Sequence, residues 1–175
     1  MLRGRVVDVN GNGIAGAFVS AGVSGAAPSG RDASPGTTDV NGSFMITVPA
    51  DGPIDVAAFA AGFPPARAVS YQPQDGVELT LKTPRPAHVR VSVLDASGAA
   101  LAGASVTCRA NPYYLQSGFL QMINPTPPTG VDGMTVVSAL APGSYELNVA
   151  SGAKKATQAV TVTEGAEIVA SVTLP

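Results

Sequence analysis

The sequence predicts an all-β protein built of two tandem antiparallel β-sandwiches. Three observations carry that expectation. The chain repeats itself once, each repeat is a train of short apolar segments parted by turn residues, and the composition is poor in charge but rich in glycine and proline. Charged residues are 13% of the 175, about half the usual share, and 20 Gly with 15 Pro supply turns. A hydrophobic content of 45% is enough for real cores and argues against disorder.

The repeat sets the domain organisation. Val6 to Val19 aligns without a gap on Val93 to Val106 at an offset of 87. Further on, Val40-Asn41-Gly42 matches Val131-Asp132-Gly133, and Gly52 matches Gly143, at an offset of 91. The four extra residues therefore fall in a loop of the second copy. The units expected are 1–84 and 85–175, with an insertion loop at 111–128. Their junction, Thr83-Pro84-Arg85-Pro86, holds two prolines that cannot donate to a sheet ladder, and it reads as a short, stiff linker.

Within each unit the strands follow in order. Leu2–Val9 and Val89–Leu94 are rich in Val and Leu, and Asn10–Gly13 and Ser97–Ala100 supply turns after them. Ala17–Val23 and Ala104–Arg109 are second strands. Phe44–Val48 and Met134–Val137 come next, then turns at Pro49–Pro53 and Ala141–Gly143, then Ile54–Phe59 and Tyr145–Ala150. Val77–Leu81 and Ile168–Leu174 close the units, and the alternation of the first marks one buried face and one wet face. Short strands at regular spacing with turn signals between them argue for sandwiches. No helix longer than one or two turns is expected.

The motifs carry a resemblance. Gly4-Arg5-Val6-Val7-Asp8, a Gly/Asn turn, Ile14-Ala15-Gly16-Ala17-Phe18-Val19 and Thr38-Asp39-Val40-Asn41-Gly42-Ser43-Phe44 resemble the carboxypeptidase-regulatory-like, or transthyretin-like, family. Its near relatives are the Cna-B-type modules of bacterial surface proteins. The second copy keeps Leu101-Ala102-Gly103-Ala104, Val131-Asp132-Gly133 and Leu140-Ala141-Pro142-Gly143-Ser144-Tyr145, but has Gly130 for Asp39 and Thr135 for Phe44. The resemblance implies transthyretin-like, Ig-like sandwiches with Greek-key connections. It implies no activity, because such modules serve as stalks, spacers and adhesive domains in unrelated proteins. Some Cna-B relatives crosslink Lys to Asn or Asp inside the sandwich, which would ask for Lys in the first strand. This chain has Arg3, Arg5 and Arg90 there, and its lysines are Lys82, Lys154 and Lys155.

Charge and residue chemistry narrow the function classes. Net charge is −2, with no basic field to attract nucleic acid. No apolar run approaches the roughly 20 residues that span a bilayer, so no membrane insertion is expected. Met1 leads almost at once into a strand, with no signal-peptide apolar core. Cys108 is alone and forms no internal disulfide. His88 is the only histidine, and neither a Ser-His-Asp nor a Cys-His arrangement is evident around it. Asp8–Gly13 matches the first six positions of a calcium-binding EF-hand loop, but the twelfth position, which should be Glu, is Val19. A polar hairpin turn explains the segment. No catalytic residue, cofactor or metal is expected, and the chain is read as a non-enzymatic structural or interaction protein.

One segment departs from the repeat. Where the first copy has the small and polar loop Ser24–Gly36, the second has an insertion holding three of the chain's nine aromatics. Tyr113, Tyr114, Leu115, Phe119, Leu120, Met122 and Ile123 are the expected partner-binding residues, since long loops in compact domains tend to be functional and such side chains anchor interfaces. The partner expected is a protein: a capsid or tail lattice, the chain's own copies, or a surface receptor, within a homo- or hetero-oligomeric assembly. The first reading is a virion component, a phage head-decoration or tail protein. The alternative is a stalk or adhesion segment of a bacterial cell-surface or secreted protein, and a further alternative is an accessory module of a secreted hydrolase.

Overall fold

The structure, a computed structural model, describes residues 1–24, 35–48, 52–74, 76–111 and 122–175. The chain divides into two compact units, Met1–Arg85 and Pro86–Pro175.

The first unit contains β1 (Leu2–Val7), β2 (Phe18–Val23), β3 (Gly36–Thr37), β4 (Ser43–Ile46), β5 (Ile54–Phe59), β6 (Ala66–Tyr71) and β7 (Leu79–Lys82). They form two sheets, in the orders β4-β1-β7 and β3-β2-β5-β6. Alternation does the sorting: Leu2 and Val6 on β1, Ile46 on β4, Ile54 and Val56 on β5, and Leu81 on β7 point into one shared core. The second unit contains β8 (Ala87–Leu94), β9 (Ser105–Asn111), β10 (Met134–Leu140), β11 (Gly143–Ser151), β12 (Lys154–Val162) and β13 (Glu167–Thr173). Its sheets run β10-β8-β13 and β12-β11-β9 around a core that includes Val89, Val91, Leu147, Val149, Val162 and Leu174. The all-β sandwich architecture is the one the repeat predicts.

Two features differ from the strand-by-strand expectation. The pairing is antiparallel throughout except at closure: β1 pairs with β7 in parallel, and so does β8 with β13. The first strand is thereby central in its sheet, with the last strand on one flank. The structure also adds β6 and β12, which the sequence reading leaves unassigned. Both lie at sheet edges and bury few side chains: only Ala66 is buried on β6, and only Val160 and Val162 on β12. Arg67, Val69 and Ser70 are exposed on β6, as are Lys154, Lys155 and Thr157 on β12. The first strand stops at Val7 rather than Val9, because Asp8 begins a turn stapled by its own carboxylate. Polar groups are scarce inside: the buried polar residues among those described are Thr38, Thr83, Thr129 and Thr135.

Candidate functional site

Each unit ties its loops down with short side chains. In the first hairpin one oxygen of the Asp8 carboxylate accepts the Asn10 and Asn12 amides at 2.8 and 2.9 Å, and the other accepts the Asn12 side-chain amide at 2.9 Å. Asp95 repeats the arrangement with the Ser97 amide and hydroxyl and the Ala99 amide. The Asn12 side chain, with backbone donors, holds the Asp8 carboxyl below its ordinary value of 3.8, and the Ser97 hydroxyl does the same for Asp95. The resemblance to a calcium loop stops there. The Asp8 oxygens serve their own turn, and Val19, at the twelfth position, is wholly buried in β2. A carboxyl whose folded pKa is depressed lends stability above its unfolded pKa and loses it as pH falls through the folded value. The melting temperatures of the protein and of Asp8→Asn are therefore expected to converge between roughly pH 5 and pH 2. A gap that stays constant on acid titration would show that the charge contributes nothing.

The second turn shows how the copies diverge. Asp39 accepts the Asn41 and Ser43 amides at 2.8 Å. With Gly130 in that place, the same backbone turn closes through Gly130 N–H to the Met134 carbonyl at 2.9 Å, and Asp132 accepts the Met134 amide at 3.0 Å instead. The capping carboxylate has moved two residues along the chain while the turn is kept.

Thr38 and Thr129, equivalent at the offset of 91, are the buried staples. The Thr38 hydroxyl donates to the Ile14 carbonyl at 2.6 Å and accepts the Ala17 amide at 2.8 Å. Thr129 does the same with Leu101 and Ala104 at 2.6 and 2.8 Å. Backbone bonds between Thr129 and Ala104 and from Gly103 to Thr129 complete the knot. In the sequence Thr38 stands out only as the first residue of the Thr38–Phe44 motif, and Thr129 is its partner at the offset of 91.

Thr129 is also where the second unit's insertion ends, and Thr135 adds a second tie. Phe44 is a buried core ring whose cross-strand neighbour is Gly4, and a Cβ at Gly4 would lie 2.6 Å from that ring. In the second unit the neighbours are Thr135 and Val91. Valine replaces the volume the ring gives up, and the Thr135 hydroxyl is free to donate to the Pro127 carbonyl at 2.7 Å. A core aromatic is exchanged for an anchor on the insertion. Of the expected contact residues, Met122 is 69% exposed and Ile123 is half-buried. Tyr113, Tyr114, Leu115, Phe119 and Leu120 lie outside the described residues.

The remaining chemical groups are kept apart. His88 lies on β8, facing away from the core, while Cys108 packs against that core from β9 in the other sheet. They form no Cys–His pair. Burial pushes the Cys108 thiol up to about 12. A neutral thiol reagent at pH 8 is therefore expected to label native Cys108 more than about a hundredfold slower than free cysteine, because the thiolate is the nucleophile. Rapid labelling of a protein with unchanged circular dichroism would contradict the buried placement. Lys82, Lys154 and Lys155 are exposed, so none is placed for a crosslink in either core. Among the described residues no three His, Cys, Asp or Glu side chains gather to hold a metal ion. No helix among them is long and apolar enough to cross a membrane.

These observations define a tandem pair of transthyretin-like β-sandwiches with stapled turns and one anchored insertion. Residues 1–84 match the family model of the carboxypeptidase regulatory-like domain. The second unit repeats motifs of the first at the offsets of 87 and 91. Among solved structures, the chain is similar to a minor pilin of the gram-positive pathogen Streptococcus agalactiae, with a TM-score of 0.51, 12% identity, and coverage of 99% of this chain and 95% of that one. The streptococcal ancillary pilin gives a TM-score of 0.43 at 17% identity, with 99% of this chain spanning 61% of that one. The shaft pilin SpaA of Lactobacillus rhamnosus GG gives 0.41 at 10% identity over 99% and 96%. No curated protein sequence matches the chain.

Proposed function

We propose that this protein is a non-enzymatic structural segment of a bacterial cell-surface or secreted protein, and that Tyr113–Ile123 is its contact with a protein partner. The observation that carries the contact is the exchange of Phe44 for Thr135. The second unit gives up an aromatic core position and uses the replacement to hold Pro127, next to the Thr129 staple. Both copies build the same sandwich, so the fold does not require the insertion or its aromatics. The fold shared with a minor pilin over nearly the full length of both chains favours a surface setting over a capsid or tail lattice.

Burying an aromatic ring at an interface contributes about 1.5–3 kcal/mol when it is fully desolvated. Replacing Tyr113, Tyr114 and Phe119 together with Ser is expected to abolish partner binding or self-assembly while leaving the β-sheet circular dichroism and the melting temperature nearly intact. Loss of several kcal/mol of monomer stability would instead place the rings in their own core and overturn the contact. Fractionation of the native cells tests the setting. Recovery in purified virions rather than at the cell surface would reverse it.

A further inference from the structure

We propose that each unit is a mechanical clamp loaded in shear, and that the second is the stronger. This goes beyond the surface reading and does not depend on what the insertion binds. The argument starts from the parallel closure. β1 and β7 run side by side in the same direction, so the chain comes into the first unit at the Leu2 end of that pair and leaves at the Lys82 end. The second unit repeats this with β8 and β13, coming in at Ala87 and leaving past Thr173. Tension between Met1 and Pro175 passes through the units in series. In each it draws the first and last strands past each other along their own axes.

That geometry decides how the hydrogen bonds fail. Bonds in a parallel ladder are evenly spaced and cross between the strands, so sliding loads them together. An antiparallel terminal pair would bring both chain ends to the same edge, and tension would peel the bonds one at a time. Each backbone bond is individually modest, so sharing the load is what gives resistance. The first strand is flanked on both sides, by β4 and β7 in one unit and by β10 and β13 in the other, so the last strand is the one that slips.

The two clamps differ in length. The first has four registered pairs, Gly4–Leu79 to Val7–Lys82, extended by a bond from the Thr83 amide to the Val7 carbonyl at 2.9 Å. The second has seven, His88–Glu167 to Leu94–Thr173. It is extended at both ends, by the His88 amide to Ala166 and the Leu174 amide to Leu94, each at 2.9 Å. The last strand of the second unit sets Ala170 and Val172 in the core, with Leu174 just past its end, against Leu79 and Leu81 in the first.

Single-molecule stretching of the full chain, held by fused handles at its two ends, tests this. Two ruptures are expected, releasing about 26 nm for Leu2–Lys82 and then about 28 nm for Ala87–Leu174, the extended length of each span less the ~2–3 nm it covers when folded. With load shared equally among the registered pairs, the first comes at roughly four-sevenths of the force of the second. A flexible Gly/Ser insertion in the exposed Gly152–Ala153 turn lengthens the stronger step alone and so assigns it. In a second arm the handles move to Pro86→Cys and Thr163→Cys in a Cys108→Ala background. The His88–Ala166 bond places those sites at one end of the clamp, where tension opens it bond by bond. The rupture force of the second unit is then expected to drop at least about twofold with the melting temperature unchanged, since forced unfolding follows the barrier and not the equilibrium. Equal forces in the two pulling geometries, or a first unit that outlasts the second, would overturn the proposal.

Discussion

Gly42→Ala is expected to destabilise the first unit by about 3–5 kcal/mol, a loss in the range that marks strain or overpacking at a special position. Gly133→Ala should act the same way, somewhat more weakly, in the second. Gly42 has a φ of 78°, where a side chain costs about 1–2 kcal/mol through its Cβ. Strain is the smaller part. A Cβ there would lie 2.4 Å from the Val6 carbonyl oxygen and 2.8 Å from both the Gly13 Cα and the Ile14 amide. All three are backbone atoms of the hairpin. The Val6 amide bonds Gly42 at 2.8 Å and the Ile14 amide bonds Val6 at 2.9 Å, so the methyl group can be admitted only by parting that knot. At Gly133 the nearest atoms are the Val93 oxygen at 2.7 Å and the Leu101 amide at 3.0 Å, a slightly looser fit. Gly11 is the control: its φ is 86°, but nothing lies within 4 Å of an added Cβ, so Gly11→Ala should cost only about 1 kcal/mol. Urea unfolding of the full chain measures all three. If Gly42→Ala and Gly11→Ala cost the same, the close approach of the two turns is not what the glycine serves.

The repeat made most of the fold legible, because it showed which residues recur at a fixed offset whatever their type. Turn glycines and Val-rich strands follow from that alone; the Leu140–Tyr145 step comes from the family resemblance, and the Tyr145 hydroxyl closes it on the Ala141 carbonyl at 2.8 Å. Two edge strands, β6 and β12, were not legible, although β4, β7, β9, β10 and β13 also lie at sheet edges. Ala66–Tyr71 and Lys154–Val162 carry too few buried side chains to stand out from turns, and their partners on β5 and β11 define them instead. The parallel closure was equally hidden. Strand direction is set by how many times the chain crosses between sheets, and no local pattern records that. The change from Phe44 to Thr135 was visible as a departure from the motif, but its meaning needed the Gly4 and Val91 neighbours and the Pro127 carbonyl.

The threonine staples combine an unremarkable residue type with a large expected effect. Thr38→Val and Thr129→Val keep shape and β-branching but remove one hydroxyl each. In the first unit the Ala17 amide loses its acceptor and the Ile14 carbonyl its donor, beside a wholly buried Ala17. The Ala104 amide and Leu101 carbonyl fare alike in the second. Orphaning a buried polar group costs about 1–3 kcal/mol, so each substitution should remove roughly 2–4 kcal/mol from its own unit. Thr→Ser at either position keeps the hydroxyl and should cost about 1 kcal/mol or less, since one small methyl group is lost. The two units report separately if each unfolds as its own cooperative transition: Thr38→Val should lower one and Thr129→Val the other. Thr129→Val has a further consequence, because the same residue fixes the end of the insertion. Partner binding should weaken at temperatures where circular dichroism shows the second unit still folded, whereas Thr38→Val should leave binding untouched. Valine variants as stable as the serine variants would mean that water or a shifted backbone satisfies the freed groups. The staples would then be decoration on turns that the glycines already hold.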